Sequence, residues 1–407
     1  MKFSWRQINK IRNYLPAFIY DYQKIRNQVS GLKKKLPRNI RIFYSIKANP
    51  DISIVKIMRI FGLGGEIVSL GEFLAARRAG IKNKDIIYAG AFKTDEELRK
   101  TIQEKIGLLS LESFREAGRA NEAAKRQKKI QKVLLRICTG QRKNQFKKYF
   151  SFTYGVPVED LSRILPQFKK LKNLNLAGLH LYEGSRILDE KFLLEKTEEL
   201  FRLINDSEKK FKINLQTIDI GGGFGIGNFP LKEYGEGLKK LIKKFHFENR
   251  EIILELGRYL IAGAGVFVTQ VIEKKETAQR KYLIVRGLMN SLLRVFDPKG
   301  GKGRVIENFK DYPISVLQKK RSAQTEKVRI CGQLSSTVDS FGLEIELPKL
   351  NEGDFILIHN TGGYGLTQSF SYFGSREMAA EFLFINNDLK LIRKKGRPED
   401  FLNNQIY

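Results

Sequence analysis

IRIFYSIKANP, residues 40–50, decides how the rest of the chain is read. Ile40 to Ile46 form an apolar, β-branched and aromatic run of strand length. Pro50 closes it, because proline has no N–H to give a sheet ladder. Lys47 therefore stands at the carboxyl end of a buried strand, where a charged amine needs a chemical reason.

Seven further runs of the same kind follow: GGEIVSL (64–70), DIIYAG (85–90), IGLLSL (106–111), KVLLRI (132–137), LAGLHLY (176–182), TIDIGGG (217–223) and EIILELG (251–257). Helical patterns such as LGEFLAARRAG and TDEELRKTIQEK separate most of them. Eight short strands alternating with helices predict an α/β fold, a parallel (β/α)8 TIM barrel of the alanine racemase-like kind. PAFIYDY (16–22) reads as one more strand, ahead of a basic helix over about 22–35. After residue 264 the pattern changes. VFVTQVIEKKE, RKYLIVRG, KVRICGQL and DFILIHN predict antiparallel strands. The domains expected are a barrel over 23–263 and a mostly β domain built from 1–22 plus 264–407.

In such a barrel, active-site groups sit at the carboxyl ends of the strands. Lys47, Glu66, Arg136, Tyr182, Gly221 to Gly223 and Glu255 all fall at or near those ends. Consecutive glycines can turn backbone N–H groups onto a phosphate. Glu255 and Arg258 offer a carboxylate for a pyridinium proton and a guanidinium for a phosphate. Singly, these read as a turn and a salt bridge. Together with a strand-end lysine they fit one cofactor, pyridoxal 5'-phosphate: the amine forms a Schiff base, the acid keeps the ring an electron sink, and the glycines and arginine hold the phosphate.

Other chemistries are poorly supplied. His180, His246 and His359 are scattered, and no HExxH, CxxC or GxSxG occurs, so no metal site is expected. Cys138 and Cys331 cannot build a disulfide framework, which favours a reducing compartment. No apolar run approaches the ~20 residues of a membrane span, and the N-terminus lacks a signal-peptide core. A cytoplasmic protein is expected. The net charge is +30, from 74 Lys+Arg against 44 Asp+Glu. With Lys, Ile, Asn and Phe all abundant, that excess reads first as compositional and second as steering towards an acidic partner. Nucleic acid ranks last, since no basic stretch interleaved with aromatics appears.

YSIKANP, GGEIVSLGE, GLHLYEGSR, GGGFG, ELGR, CGQLSSTVD and GGYG, in this order, resemble the successive motifs of the fold-type III pyridoxal-dependent decarboxylases, the diaminopimelate and ornithine decarboxylases and their relatives. The likeness runs through LIRKKGRPEDFL near the end of the chain. It implies a head-to-tail homodimer with shared active sites and an amino-acid substrate. Lys47 is then the Schiff-base lysine and Glu255 faces the ring nitrogen. Arg258, Gly221, Gly222, Gly223, Ser185 and Tyr364 surround the phosphate, and Glu66 and Arg136 support the ring. Arg294 contacts substrate, and residues 335–339, with Ser336 and Asp339 at the substrate, reach in from the neighbouring subunit. Tyr182 replaces the family's stacking histidine, and Ser335 replaces its proton-donating cysteine. Both are therefore the catalytic positions in question, beside Lys47. His180 reads as a satisfied barrel residue.

AGAFKTDEEL, HLYEGS and GGYGLTQSFSYF look more like the branch found in natural-product, siderophore and exopolysaccharide clusters. Some members of that branch decarboxylate an aminoacyl group tethered to an acyl carrier protein. Carrier proteins are acidic, so such a partner fits a +30 chain. Two alternatives stand beside decarboxylation. One is a cofactor-binding regulatory homologue, marked by bound cofactor without turnover. The other is a racemase, marked by exchange at Cα without CO2 release.

Overall fold

The structure is a computed structural model that describes residues 3–139, 154–292, 311–336 and 339–406. It comprises two compact units, residues 28–260 and residues 1–27 with 261–407.

The first unit is the barrel. Its strands are β1 (Ile40–Ser45), β2 (Gly64–Ile67), β3 (Ile86–Tyr88), β4 (Leu108–Leu111), β5 (Gln131–Cys138), β6 (Leu174–Leu181), β7 (Thr217–Gly222) and β8 (Glu251–Leu256). Each pairs in parallel with the next, and β8 closes on β1 through Glu255 opposite Phe43 and Leu256 opposite Tyr44. A two-residue strand, Val156–Pro157, adds beside β5. Helices begin almost directly after the strands because capping residues stand there. Ser69, Thr94, Ser113 and Asp189 each accept a first-turn backbone N–H of the helix that follows.

The barrel interior follows from the two-residue period of a strand. Phe43, Ile87, Leu108, Leu134 and Ile253 form one buried apolar layer. Two residues further along β1, β4, β5 and β8, the same face carries Ser45, Ser110, Arg136 and Glu255, all buried. The interior therefore changes from hydrocarbon to polar in a single step towards the carboxyl ends. Polar groups are costly to bury without a use or a partner, so the step marks where the fold spends its stability on function.

Gly222 is fixed by close approach. A Cβ there would lie 1.7 Å from the backbone oxygen of Glu255 on the neighbouring strand. Gly222→Ala is expected to lower the unfolding free energy by about 3 kcal/mol. Gly31, on helix Tyr22–Lys35, has nothing within 4 Å. Gly31→Ala should instead add about 0.5 kcal/mol, through a less flexible unfolded chain. Urea denaturation of the two variants checks the contrast, and equal effects would contradict it.

The second unit is a β structure around the long strand Gly265–Glu276, which pairs antiparallel with Ala17–Asp21, Lys281–Val285 and Phe355–His359. Its core shows the alternation of a one-sided sheet: Ala17 and Ile19, Val266 and Val268, Phe355 and Leu357, and Ala380 and Phe382 share one buried face. Among the described residues, two pairings in this unit are parallel. Ala17–Asp21 runs parallel to Ala380–Ile385, and Lys281–Val285 runs parallel to Thr325–Cys331. Neither pair is joined by a hairpin. The first brings together the two ends of the chain, and strand Ile314–Leu317 lies in the connection of the second. Direction is therefore not set by a turn. Among the described residues, no helix is long and apolar enough to cross a membrane.

Candidate active site

Lys47 follows β1 in a single helical turn, Ile46–Ala48. Its Nζ lies 2.5 Å and 2.7 Å from the two carboxylate oxygens of Glu66, one residue from the end of β2. Glu66 is buried while the lysine side chain is 39% exposed, so the amine is held by a fixed acid yet remains reachable.

The strand register assembles the rest. Arg136 on β5 stands opposite His180 on β6, and His180 stands opposite Asp219 on β7. Neighbouring residues in register point the same way, here into the barrel. One donor atom each from His180, Asp219 and Glu255 lie within 4.8 Å of one another. His180 Nδ1 is 2.7 Å from Ser110 Oγ, and its Nε2 is 3.6 Å from Glu255 Oε2. Burial holds the imidazole well below its ordinary pKa, with the charges of Arg136, Lys47 and Lys93 adding to the effect. The ring is therefore neutral. Nδ1 shares its hydrogen bond with the Ser110 hydroxyl, and Nε2 faces Glu255. His180, expected as a satisfied residue, is satisfied on one nitrogen only: Nε2 is buried without a hydrogen bond.

Burial also pushes Glu255 well above the usual carboxylate range. Asp219 and Glu66 raise it further, and Lys47 opposes them. Asp219 is pushed up to about 7 by burial, against the Gly221 N–H that donates to its Oδ1 at 2.9 Å. Between its ordinary 3.8 and about 7, the folded protein keeps a proton that the unfolded chain has lost. Folding stability should therefore fall as pH rises through that window. Asp219→Asn should flatten the decline in the melting temperature of cofactor-free protein across this range. An unchanged slope would contradict the assignment.

Arg136 donates to Glu112 at 2.7 Å, and its guanidinium lies over the rings of Tyr154, at 5.0 Å, and Tyr182, at 5.6 Å. Tyr182 follows β6 directly, three residues before the exposed Ser185. Arg258 is buried two residues beyond β8. Gly221 and Gly223 have φ of +64° and +85°, and a Cβ at Gly223 would strike the Gly184 oxygen at 2.0 Å. Of the three glycine amides expected at an anion, that of Gly221 is already given to Asp219.

In the second unit, Tyr364 sits half-buried at φ +66° after strand Phe355–His359. Ser335 is exposed and Ser336 half-buried on the loop after Thr325–Cys331. Asp339 is buried, with Oδ1 accepting the Met289 N–H at 2.9 Å and Oδ2 the Leu334 N–H at 2.7 Å. A buried carboxylate requires such donors, and this one anchors the loop. Arg294 lies outside the described residues.

Sequence reasoning had not placed Asp219, Glu112 or Ser110 in the site. The signal was an acid or hydroxyl inside an apolar strand run, as in TIDIGG and LLSL.

The residues present fit pyridoxal phosphate. Glu255 Oε1 is buried without a hydrogen-bond partner, which is what a protonated ring nitrogen needs. A tethering lysine stands at the same end of the barrel. A barrel so equipped defines a pyridoxal-phosphate-dependent enzyme. The model for the pyridoxal binding domain of the pyridoxal-dependent decarboxylases matches residues 22–262, and the chain belongs to that family. The diaminopimelate decarboxylase of Aquifex aeolicus is 31% identical, over 93% of this chain and 89% of its own. The L-glutamyl-(BtrI acyl-carrier protein) decarboxylase of Niallia circulans is 28% identical, over 96% and 94%. A crystal structure of the Helicobacter pylori diaminopimelate decarboxylase complexed with L-lysine matches with a TM-score of 0.84 at 25% identity, covering 98% of each chain.

Proposed function

We propose that the protein decarboxylates an amino acid or an aminoacyl group carried on an acidic acyl carrier protein, working in the cytoplasm as a homodimer with shared active sites. The observation that carries the reading is the Lys47–Glu66 pair at the same barrel end as the open, buried Glu255 oxygen. When bound, pyridoxal phosphate supplies an aldehyde for the substrate amine and a ring that draws off the electron pair left by departing CO2.

The chain's own residues do the rest. Lys47 Nζ tethers the cofactor and exchanges protons beside the substrate carbon, and Glu66 holds it in place. Glu255 would accept a hydrogen bond from the protonated ring nitrogen, and it lies beside neutral His180. Asp219 and Glu255, both pushed up by burial, hold protons as a coupled pair, so they need not carry two buried charges. Arg136, itself held by Glu112, fixes the ring of Tyr182, which stacks where the family has histidine. Arg258, Ser185, Tyr364 and the Gly222–Gly223 backbone hold the phosphate. Arg294 receives a substrate carboxylate. Ser335 and Ser336 are offered by the neighbouring subunit on a loop pinned by Asp339, with Ser335 as a proton donor.

The carrier-tethered form is supported by the +30 charge and by the likeness to a decarboxylase of a glutamyl carrier protein. Kinetics with an aminoacyl carrier protein and with the same free amino acid separate the two forms. A kcat/KM for the carrier at least about tenfold higher, falling with salt, is expected from charge steering. Equal values would assign the free amino acid.

A further inference from the structure

The barrel has a cavity at the other end from Lys47. A hollow of about 630 Å³ opens at the amino-terminal ends of β1, β2 and β3, within the roughly 300–1,000 Å³ of small-molecule sites. Six cations line it: Lys33, Arg38, Arg41, Arg59, Lys82 and Lys84. Asp85 is the one carboxylate in the lining, and Arg41 takes it at 2.9 Å while also pairing with Glu251. Lys33 donates to the Phe61 carbonyl, which brings no counter-charge. Among the described residues, Lys33, Arg38, Arg59, Lys82 and Lys84 have no carboxylate partner.

Helix polarity accounts for part of this. Lys33 and Arg59 lie in the last turns of helices Tyr22–Lys35 and Ile52–Ile60, where cations complement the dipole. Arg38 and Lys82 lie in the connections that follow helices, and Lys84 in the short 3-10 turn Asn83–Asp85, so the α-helix dipole does not explain them. Like charges gathered around one hollow repel one another unless an anion sits between them.

We infer that this cavity binds an oligophosphate anion. Arginine forks match phosphate oxygens two at a time, and the lysines add point charges between them. Among the described residues, no aromatic side chain lines the cavity, so none of them stacks on a nucleobase there. The bare phosphate chain is the recognised element, whether it comes as inorganic tripolyphosphate or as the tail of a nucleotide. The site is separate from the catalytic one: β1 spans roughly 17 Å between them, and none of the lining residues is among those around Lys47.

The test is calorimetric titration of the full-length, pyridoxal-phosphate-loaded protein with tripolyphosphate at about 150 mM salt, where diffuse surface charge is screened beyond about 8 Å. One tripolyphosphate per chain is expected. Arg38→Gln/Lys82→Gln should weaken binding by at least about tenfold, the loss expected for two charge-assisted contacts. Lys239→Gln/Lys240→Gln, which removes equal charge from exposed positions on helix Leu231–Phe245, should change it less than about twofold, as unpaired surface charges do at this salt. ATP should bind no tighter than tripolyphosphate. Equal losses in the two double variants, or no saturable binding, would overturn the site. ATP binding more than about tenfold tighter would overturn the bare-phosphate reading, because a base contact would then carry about 1.4 kcal/mol or more.

Discussion

Lys47→Ala should cut decarboxylation by roughly 10³-fold or more, because positioning and proton exchange by one tethered amine are worth at least that much. Its side chain is 39% exposed, and its amine holds both carboxylate oxygens of buried Glu66. The variant should therefore fold and bind cofactor, yet lose the visible absorption band that a lysine–cofactor bond produces. A small added amine should restore part of the rate. A variant that keeps its turnover would remove Lys47 from the chemistry altogether.

Glu255→Gln should cost about 10²- to 10³-fold in kcat, the range for removing one preorganised charge from a buried site. The substitution keeps the size of the side chain and its place beside His180 Nε2, 3.6 Å from Oε2. What it removes is the negative charge that holds a proton on the ring nitrogen. KM should change less than kcat, since the interaction strengthens as the ring takes up electrons. A loss confined to KM would mean that Glu255 only packs against the cofactor.

Much of this was legible in the sequence because the barrel writes itself in apolar runs. The eight runs from IRIFYSI to EIILELG are the eight barrel strands, and the polar residues that interrupt their carboxyl ends are those the fold gathers. The period of two explains it: Phe43, Leu108, Leu134 and Ile253 announce the interior face, and Ser45, Ser110, Arg136 and Glu255 lie on it two residues later. What stayed hidden depends on partners far apart in sequence. Arg136 meets Glu112 from another strand's loop, and Asp219 meets both Gly221 and Glu255. His180 has one face on Ser110 and the other on Glu255, and a single run of letters shows neither. The β unit was read correctly as strands and mostly in direction; Lys281–Val285 runs parallel to Thr325–Cys331 because strand Ile314–Leu317, not a turn, lies between them. The resemblance places Asp339 at the substrate of the neighbouring subunit, and its contacts within its own chain were hidden in the sequence. Its two amide partners, one of them at Met289, make it an anchor.

Decarboxylation itself is tested most directly by CO2 release from carboxyl-labelled substrates in heavy water, using the pyridoxal-phosphate-loaded protein. Candidate amino acids should be presented both free and as carrier thioesters. The account predicts labelled CO2 in step with an amine product carrying one deuterium at Cα, and neither with Lys47→Ala. Deuterium exchange at Cα without CO2 would contradict it in favour of a racemase, and bound cofactor with neither product would leave a binding protein that has kept the pocket of an enzyme.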